Sequence, residues 1–126
     1  MAEHNFVGKI GEDLARDYLE KNGYKILEQN YKTKYAEIDL VAEKKDSIFG
    51  KNKLVFVEVR TKIGENFGSP EDTLNKAKLW KVLQNAKFYS AFKKWQGPAR
   101  IDAVCIVLKP DFSVLRLTHH ENIIAG

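Results

Sequence analysis

Two short apolar runs each carry acids at positions where strands normally carry hydrophobic residues: Glu37-Ile38-Asp39-Leu40-Val41 and Val55-Phe56-Val57-Glu58-Val59-Arg60. Both have the β-branched and aromatic content of strands, and strand side chains alternate between two faces. Glu37 and Asp39 therefore share a face, as do Glu58, Arg60 and Lys62. Ionised carboxylates are costly to bury unless paired or metal-bound. Two neighbouring strands, each with an acid among apolar residues, point to a divalent-metal site with a cation beside it. Glu58 is the sharper case, because it interrupts what reads as a central strand. Residues two apart on a strand are separated by about 6–7 Å, which argues against a salt bridge to Arg60 as its sole explanation. Asp39 also fits an exposed sheet face with a lysine partner. From these residues alone, a metal or catalytic role and plain ion pairing stand as alternatives.

The rest of the chain frames these two strands. Phe6, Val7, Ile10, Leu14 and Tyr18 recur at helical spacing, predicting a helix from Phe6 to Asn22 that stops at Gly23. Glu12 lies on a second stripe with Gly8, Ala15 and Leu19, and small neighbours permit close approach to another element. Periodicity alone reads Glu12 as a surface carboxylate. Strands are expected at Tyr24 to Tyr31, Ala36 to Glu43 and Lys53 to Lys62, with a mobile hairpin connection from Lys44 to Asn52. Ser69-Pro70-Glu71-Asp72 has the residues of a helix start, predicting a second helix that runs to about Lys94 before Gly97-Pro98. Further strands follow at Arg100 to Leu108 and Ser113 to Leu117. The order α-β-β-β-α-β-β suits one mixed sheet flanked by two helices, and the 126 residues suit one domain, 1–126.

Charge narrows the partners. The net charge is +4, and the stretch from Ser69 to Trp95 holds six lysines against two acids. That face is either solvated or a track for DNA phosphates, with Lys78 and Lys81 as the leading contacts. The single cysteine, Cys105, sits in an apolar run and reads as a small buried hydrophobe in a reducing compartment. No run is long enough to span a membrane and the start of the chain lacks a signal-peptide core, so a soluble cytoplasmic protein is expected. Arg100 and Asp102 share a strand face, either supporting the site or forming an ion pair. Trp80 and Trp95 read as packing residues, and His119-His120 as surface.

An acid in an early helix, an acid in one strand and Glu-x-Lys or a variant in the next resembles the PD-(D/E)xK nuclease superfamily. More closely, Gly8-x-x-Gly11-Glu12-x-x-Ala15-x-x-Tyr18-Leu19, Gly23-Tyr24, Asn30, Glu37-Ile38-Asp39-Leu40-Val41-Ala42, Phe56-Val57-Glu58-Val59-Arg60, Phe67-Gly68, Lys78, Ala86 and Arg100-Ile101-Asp102 resemble the YraN-type family of uncharacterised bacterial proteins, related to Holliday-junction resolvases. The resemblance implies a restriction-endonuclease-like fold and a Mg²⁺-dependent DNA endonuclease, with Mn²⁺ as substitute. Branched DNA or repair and recombination intermediates are the implied substrates. A catalytically inactive DNA-binding module of the same fold is the alternative, and a homodimer is a further implication. Position by position, Glu12, Asp39 and Glu58 match the metal-binding acids, joined by the Val59 carbonyl. Arg60 stands where the superfamily usually has lysine, Lys78 matches a helix lysine, and Ala36 replaces an expected glycine. Lys62, on the same strand face, reads as a solvated strand end or as a point charge standing in for that lysine. Arg60 keeps its proton at neutral pH, which excludes it as a general base and leaves it the role of holding phosphate.

Overall fold

The computed structural model describes residues 2–45 and 50–124. Helix α1 (Ala2–Lys21) leads into strands β1 (Tyr24–Lys32), β2 (Glu37–Lys45) and β3 (Asn52–Ile63). Helix α2 (Lys76–Phe92) then connects to β4 (Ala99–Leu108) and β5 (Val114–His120). Part of the hairpin connection expected between Lys44 and Asn52 falls outside the described residues. The strands form one sheet in chain order, antiparallel throughout except for the parallel pair β3–β4, which α2 connects. This is the expected α-β-β-β-α-β-β mixed sheet between two helices.

Alternation along β3 builds a core on each face of the sheet. Val55, Val57 and Val59 join Leu40, Val104 and Ile106 under α1, whereas Leu54 and Phe56 join Val82, Ala86 and Tyr89 of α2. Each fully buried Val or Leu contributes about 1.5–3 kcal/mol, so β3 anchors both layers.

Two expectations change. On α1 the residues pressed deepest into the sheet are Val7, Gly11, Ala15 and Leu19, while Ile10, Leu14 and Tyr18 lie at the edge of that contact. The small residues decide this: a Cβ on Gly11 would overlap the Thr61 hydroxyl of β3. The helix therefore rides close to the strand, and Glu12 comes down with it. The second helix also starts later than Ser69-Pro70 suggests. Pro70–Thr73 make only a 3₁₀ turn, with Asp72 accepting from the Ser69 N–H and the Thr73 hydroxyl donating to the Pro70 carbonyl. Asn75 then opens α2, its side chain accepting from the Lys78 N–H at 2.9 Å.

Candidate active site

Strands β2 and β3 pair only from Leu40↔Val57 back to Lys45↔Asn52. Beyond Leu40 they part. The first residues of β2 pair with β1 (Ile38 with Tyr31, Glu37 with Lys32), and Glu58 to Ile63 of β3 pair with β4. The wedge between them is where the acids collect. Asp39 fills the place of the missing ladder bond, its Oδ2 accepting from the Val59 N–H at 2.8 Å. Opposite it on β1, Asn30 adopts φ 53° and no paired partner faces it. That left-handed residue breaks the β1–β2 ladder at the same level. Asparagine tolerates this conformation far better than most residues.

Glu12 enters the wedge from α1. With its amide nitrogen turned inward, Asn30 donates to Glu12 Oε1 at 2.8 Å and to Glu37 Oε1 at 2.9 Å. One oxygen each from Glu12, Glu37 and Asp39 lies within 4.8 Å of the others. Burial, and next the nearby Asp39 charge, push Glu12 up to about 7. Burial also raises Asp39, against the pull of the Val59 N–H and Arg60.

Glu58 stands outside that trio, on the α2 side of the sheet, and is only 2% exposed. Its Oε2 accepts from Arg60 at 3.1 Å, the long arginine side chain folding back along its own strand. Oε1 of Glu58 and Nε of Arg60 remain buried without hydrogen-bond partners. Burial first, and Asp39 second, raise the Glu58 carboxyl despite Arg60. The Val59 carbonyl, expected to face a metal, accepts from Arg60 at 3.1 Å.

Cations surround the acids. An open cleft of about 1110 Å³ is bordered by Glu12, Glu37, Asp39 and Asn30 together with Lys9, Lys32, Arg60, Lys62 and Lys78. A second groove of about 570 Å³ adjoins it on the α2 side and holds Glu58 and Lys81. Glu37, Asp39, Arg60 and Lys78 border both. Every residue singled out from sequence for the site thus lines one cleft or the other. Lys62 Nζ also donates to the Phe67 carbonyl at 3.4 Å. Sequence reading did not pick Asn30, Glu37, Lys9 or Lys32 as site residues. The shared strand face with Asp39 was a usable signal for Glu37, and Asn30 stands among the residues that carry the family resemblance; no local pattern marks Lys9 or Lys32.

The remaining polar residues serve elsewhere. Asp102 receives Arg100 and His119, and Glu71 receives Arg116 and His120, so the two histidines expected at the surface are strand residues tied to buried or half-buried acids. The described part of β5 extends to His120 rather than ending at Leu117. Cys105 is buried, and burial drives its thiol up to about 12. Trp95 packs against the α2-side core, whereas Trp80 is exposed. Among the described residues, no helix is long and apolar enough to cross a membrane.

Residues 11–106 match the family model described as uncharacterised protein family UPF0102. A UPF0102 protein of Caldanaerobacter subterraneus subsp. tengcongensis is 41% identical over 117 residues, covering 90% of this chain and 89% of that protein. One from Thermodesulfovibrio yellowstonii is 41% identical over 116 residues, covering 92% and 93%. One from Flavobacterium johnsoniae is 44% identical over 94 residues, covering 75% and 72%.

Proposed function

The chain belongs to the uncharacterised protein family UPF0102, and from the site it carries we propose that it is a metal-dependent endonuclease hydrolysing phosphodiester bonds in DNA. Branched DNA or repair and recombination intermediates are its proposed substrates. One observation carries the reading. Carboxylates from α1, β2 and β3 gather where two strands part, with three of them inside 4.8 Å and a buried Glu58 oxygen left without a partner. Such an excess of hard oxygen donors fits Mg²⁺, or Mn²⁺ in its place. Glu12, Asp39 and Glu58 would hold the ion, with Glu37 beside them. When bound, the ion supplies positive charge at the phosphate and lowers the pKa of a water.

The chain's own groups do the rest. Arg60, permanently charged, takes a non-bridging phosphate oxygen and stabilises the charge that grows there. Lys78, at the boundary of the two clefts, makes a second phosphate contact. Glu12, entering from α1, completes the acid set, and the attacking water gives up its proton to solvent. Water oxygen bonds to phosphorus as the bond to the 3′-oxygen breaks, and the departing oxygen takes a proton from solvent to end as a hydroxyl. A second reading, a DNA-binding module without hydrolysis, draws on one contact pattern: Arg60 closes on both Glu58 and the Val59 carbonyl, two groups a cation would use.

The test combines thermal melting in millimolar Mn²⁺ with cleavage of a panel of branched DNAs in Mg²⁺ and Mn²⁺. Mn²⁺ is expected to stabilise the wild type by about 1–3 kcal/mol through mass action and to support cleavage. Asp39→Asn should remain folded and lose both. DNA binding without cleavage would select the second reading. A wild type with neither a metal shift nor cleavage, together with a destabilised Asp39→Asn, would make the acids structural and end the nuclease assignment.

A further inference from the structure

The groove on the α2 side has one wall that the hydrolytic site does not use. Thr33 to Ala36 form the turn between β1 and β2, and the turn is fastened to α2 by Asn85, which is 0% exposed. The Asn85 amide nitrogen donates to the Ala36 carbonyl at 2.8 Å, and its oxygen accepts from the Thr33 hydroxyl at 2.6 Å. That hydroxyl in turn accepts from the Tyr35 N–H at 3.2 Å. A buried amide thus spends both of its polar atoms on holding a surface turn. What the turn displays is Tyr35, an aromatic ring 58% exposed at the mouth of the groove. An exposed ring on a mobile turn would be unremarkable, whereas here the backbone that carries the ring is fixed by a fully buried amide.

The surroundings suit a nucleotide. Lys78 and Lys81 border the groove from α2, Ala36 and Ala77 leave room beside them, and Asp39 and Arg60 are shared with the acidic cleft. Lys34 Nζ lies over one face of the Tyr35 ring, 5.2 Å from its centroid, so a base would stack on the opposite face. A flat π-face with lysines alongside is the pattern that stacks a base and neutralises its phosphate. In a duplex the bases are paired and stacked on one another, so only an unpaired base can lie on the ring. Resting on the nuclease reading above, we propose that this groove binds a single-stranded segment of the DNA substrate. One unpaired base stacks on Tyr35 while the phosphate next to it lies at the Asp39–Arg60–Lys78 boundary. The substrate class is therefore DNA with an unpaired strand beside the cut, rather than a continuous duplex.

The test uses the full chain in Ca²⁺, so that binding is read apart from turnover. The probes are fluorescein-labelled DNA with a single-stranded flap and the matching unbranched duplex. A second flap probe carries 2-aminopurine at successive positions of the single-stranded arm. Tyr35→Ala is expected to lose about tenfold in affinity for the flap and less than twofold for the duplex, and Tyr35→Phe to bind the flap like wild type. Wild type and Tyr35→Phe should quench 2-aminopurine at one position near the junction. Equal losses on flap and duplex, no loss in Tyr35→Ala, or no quenching by the wild type would overturn the groove assignment. If the wild type still cleaves in Mg²⁺, the nuclease reading survives that result. A wild type that binds neither DNA overturns both.

Discussion

Glu58 and Asp102 are both nearly or fully buried acids on adjacent strands of one sheet, 2% and 0% exposed, and they live in opposite electrostatic settings. Asp102 accepts from Arg100 through two nitrogens, from His119 Nε2 and from the Asn122 N–H. Burial pulls its pKa up, but these donors overcome burial and hold it below the ordinary value. Glu71, nearer the surface, shows the same saturation: hydrogen bonds from Arg116 come first among the causes that bring it down to about 2. Glu58 has one side-chain donor, an orphan oxygen, and a second acid close by, and it is raised. The β4–β5 acids are finished interactions that tie strands, helix and tail together. The β2–β3 acids lack that saturation, the setting expected of the site proposed above.

Removing a finished acid should do the most damage. Asp102→Ala strands Arg100 and His119 and is expected to cost about 3–5 kcal/mol in urea unfolding. A loss under about 1 kcal/mol would erase the contrast between the two regions. The next effect is kinetic. Arg60→Ala should lower turnover about 100-fold, or about 2.7 kcal/mol, with a much smaller change in DNA affinity. Arg60→Lys should keep appreciable cleavage, because a charge remains near the phosphate. Equal losses in binding and turnover would reduce Arg60 to an anchor. The smallest effect concerns pH without metal. The folded pKa of Glu58 lies above its ordinary 4.5, so its contribution to stability is full below that value and is lost as pH rises through the folded one. Glu58→Gln should therefore match wild type at about pH 5 and exceed it by about 1–2 kcal/mol at about pH 9. Chemical denaturation at the two pH values checks this, and a mutant weaker than wild type at high pH would place Glu58 with Asp102 among the finished acids.

Much of this was legible in the chain. The continuous apolar run from Leu54 to Val59 identified β3 as a central strand, and the acids inside apolar runs marked Asp39 and Glu58 before any contact was known. Less local matters were not. Periodicity put Ile10, Leu14 and Tyr18 at the centre of the α1 interface, but Gly11 against Thr61 shifted the contact and carried Glu12 into the wedge. The cap residues at Ser69 open only a 3₁₀ turn that ends at Leu74, and Asn75 caps the longer helix. Strand spacing left the reach of Arg60 open, and the flexible arginine folds back to Glu58 while one Glu58 oxygen stays unpartnered.

The sequence by itself determined which elements form, which faces of them are apolar, and that two strands carry charge where charge is expensive. Those are properties of residue type and period, and they act within a few positions along the chain. Tertiary structure alone decided which charges are satisfied. Asp102 meets His119 across β4 and β5, while Glu58 has Arg60 of its own strand and, across the gap where two strands diverge, a second acid in Asp39. Whether a buried acid becomes a structural tie or an open site depends on how many donors surround it, and those donors come from elements that are neighbours only after folding.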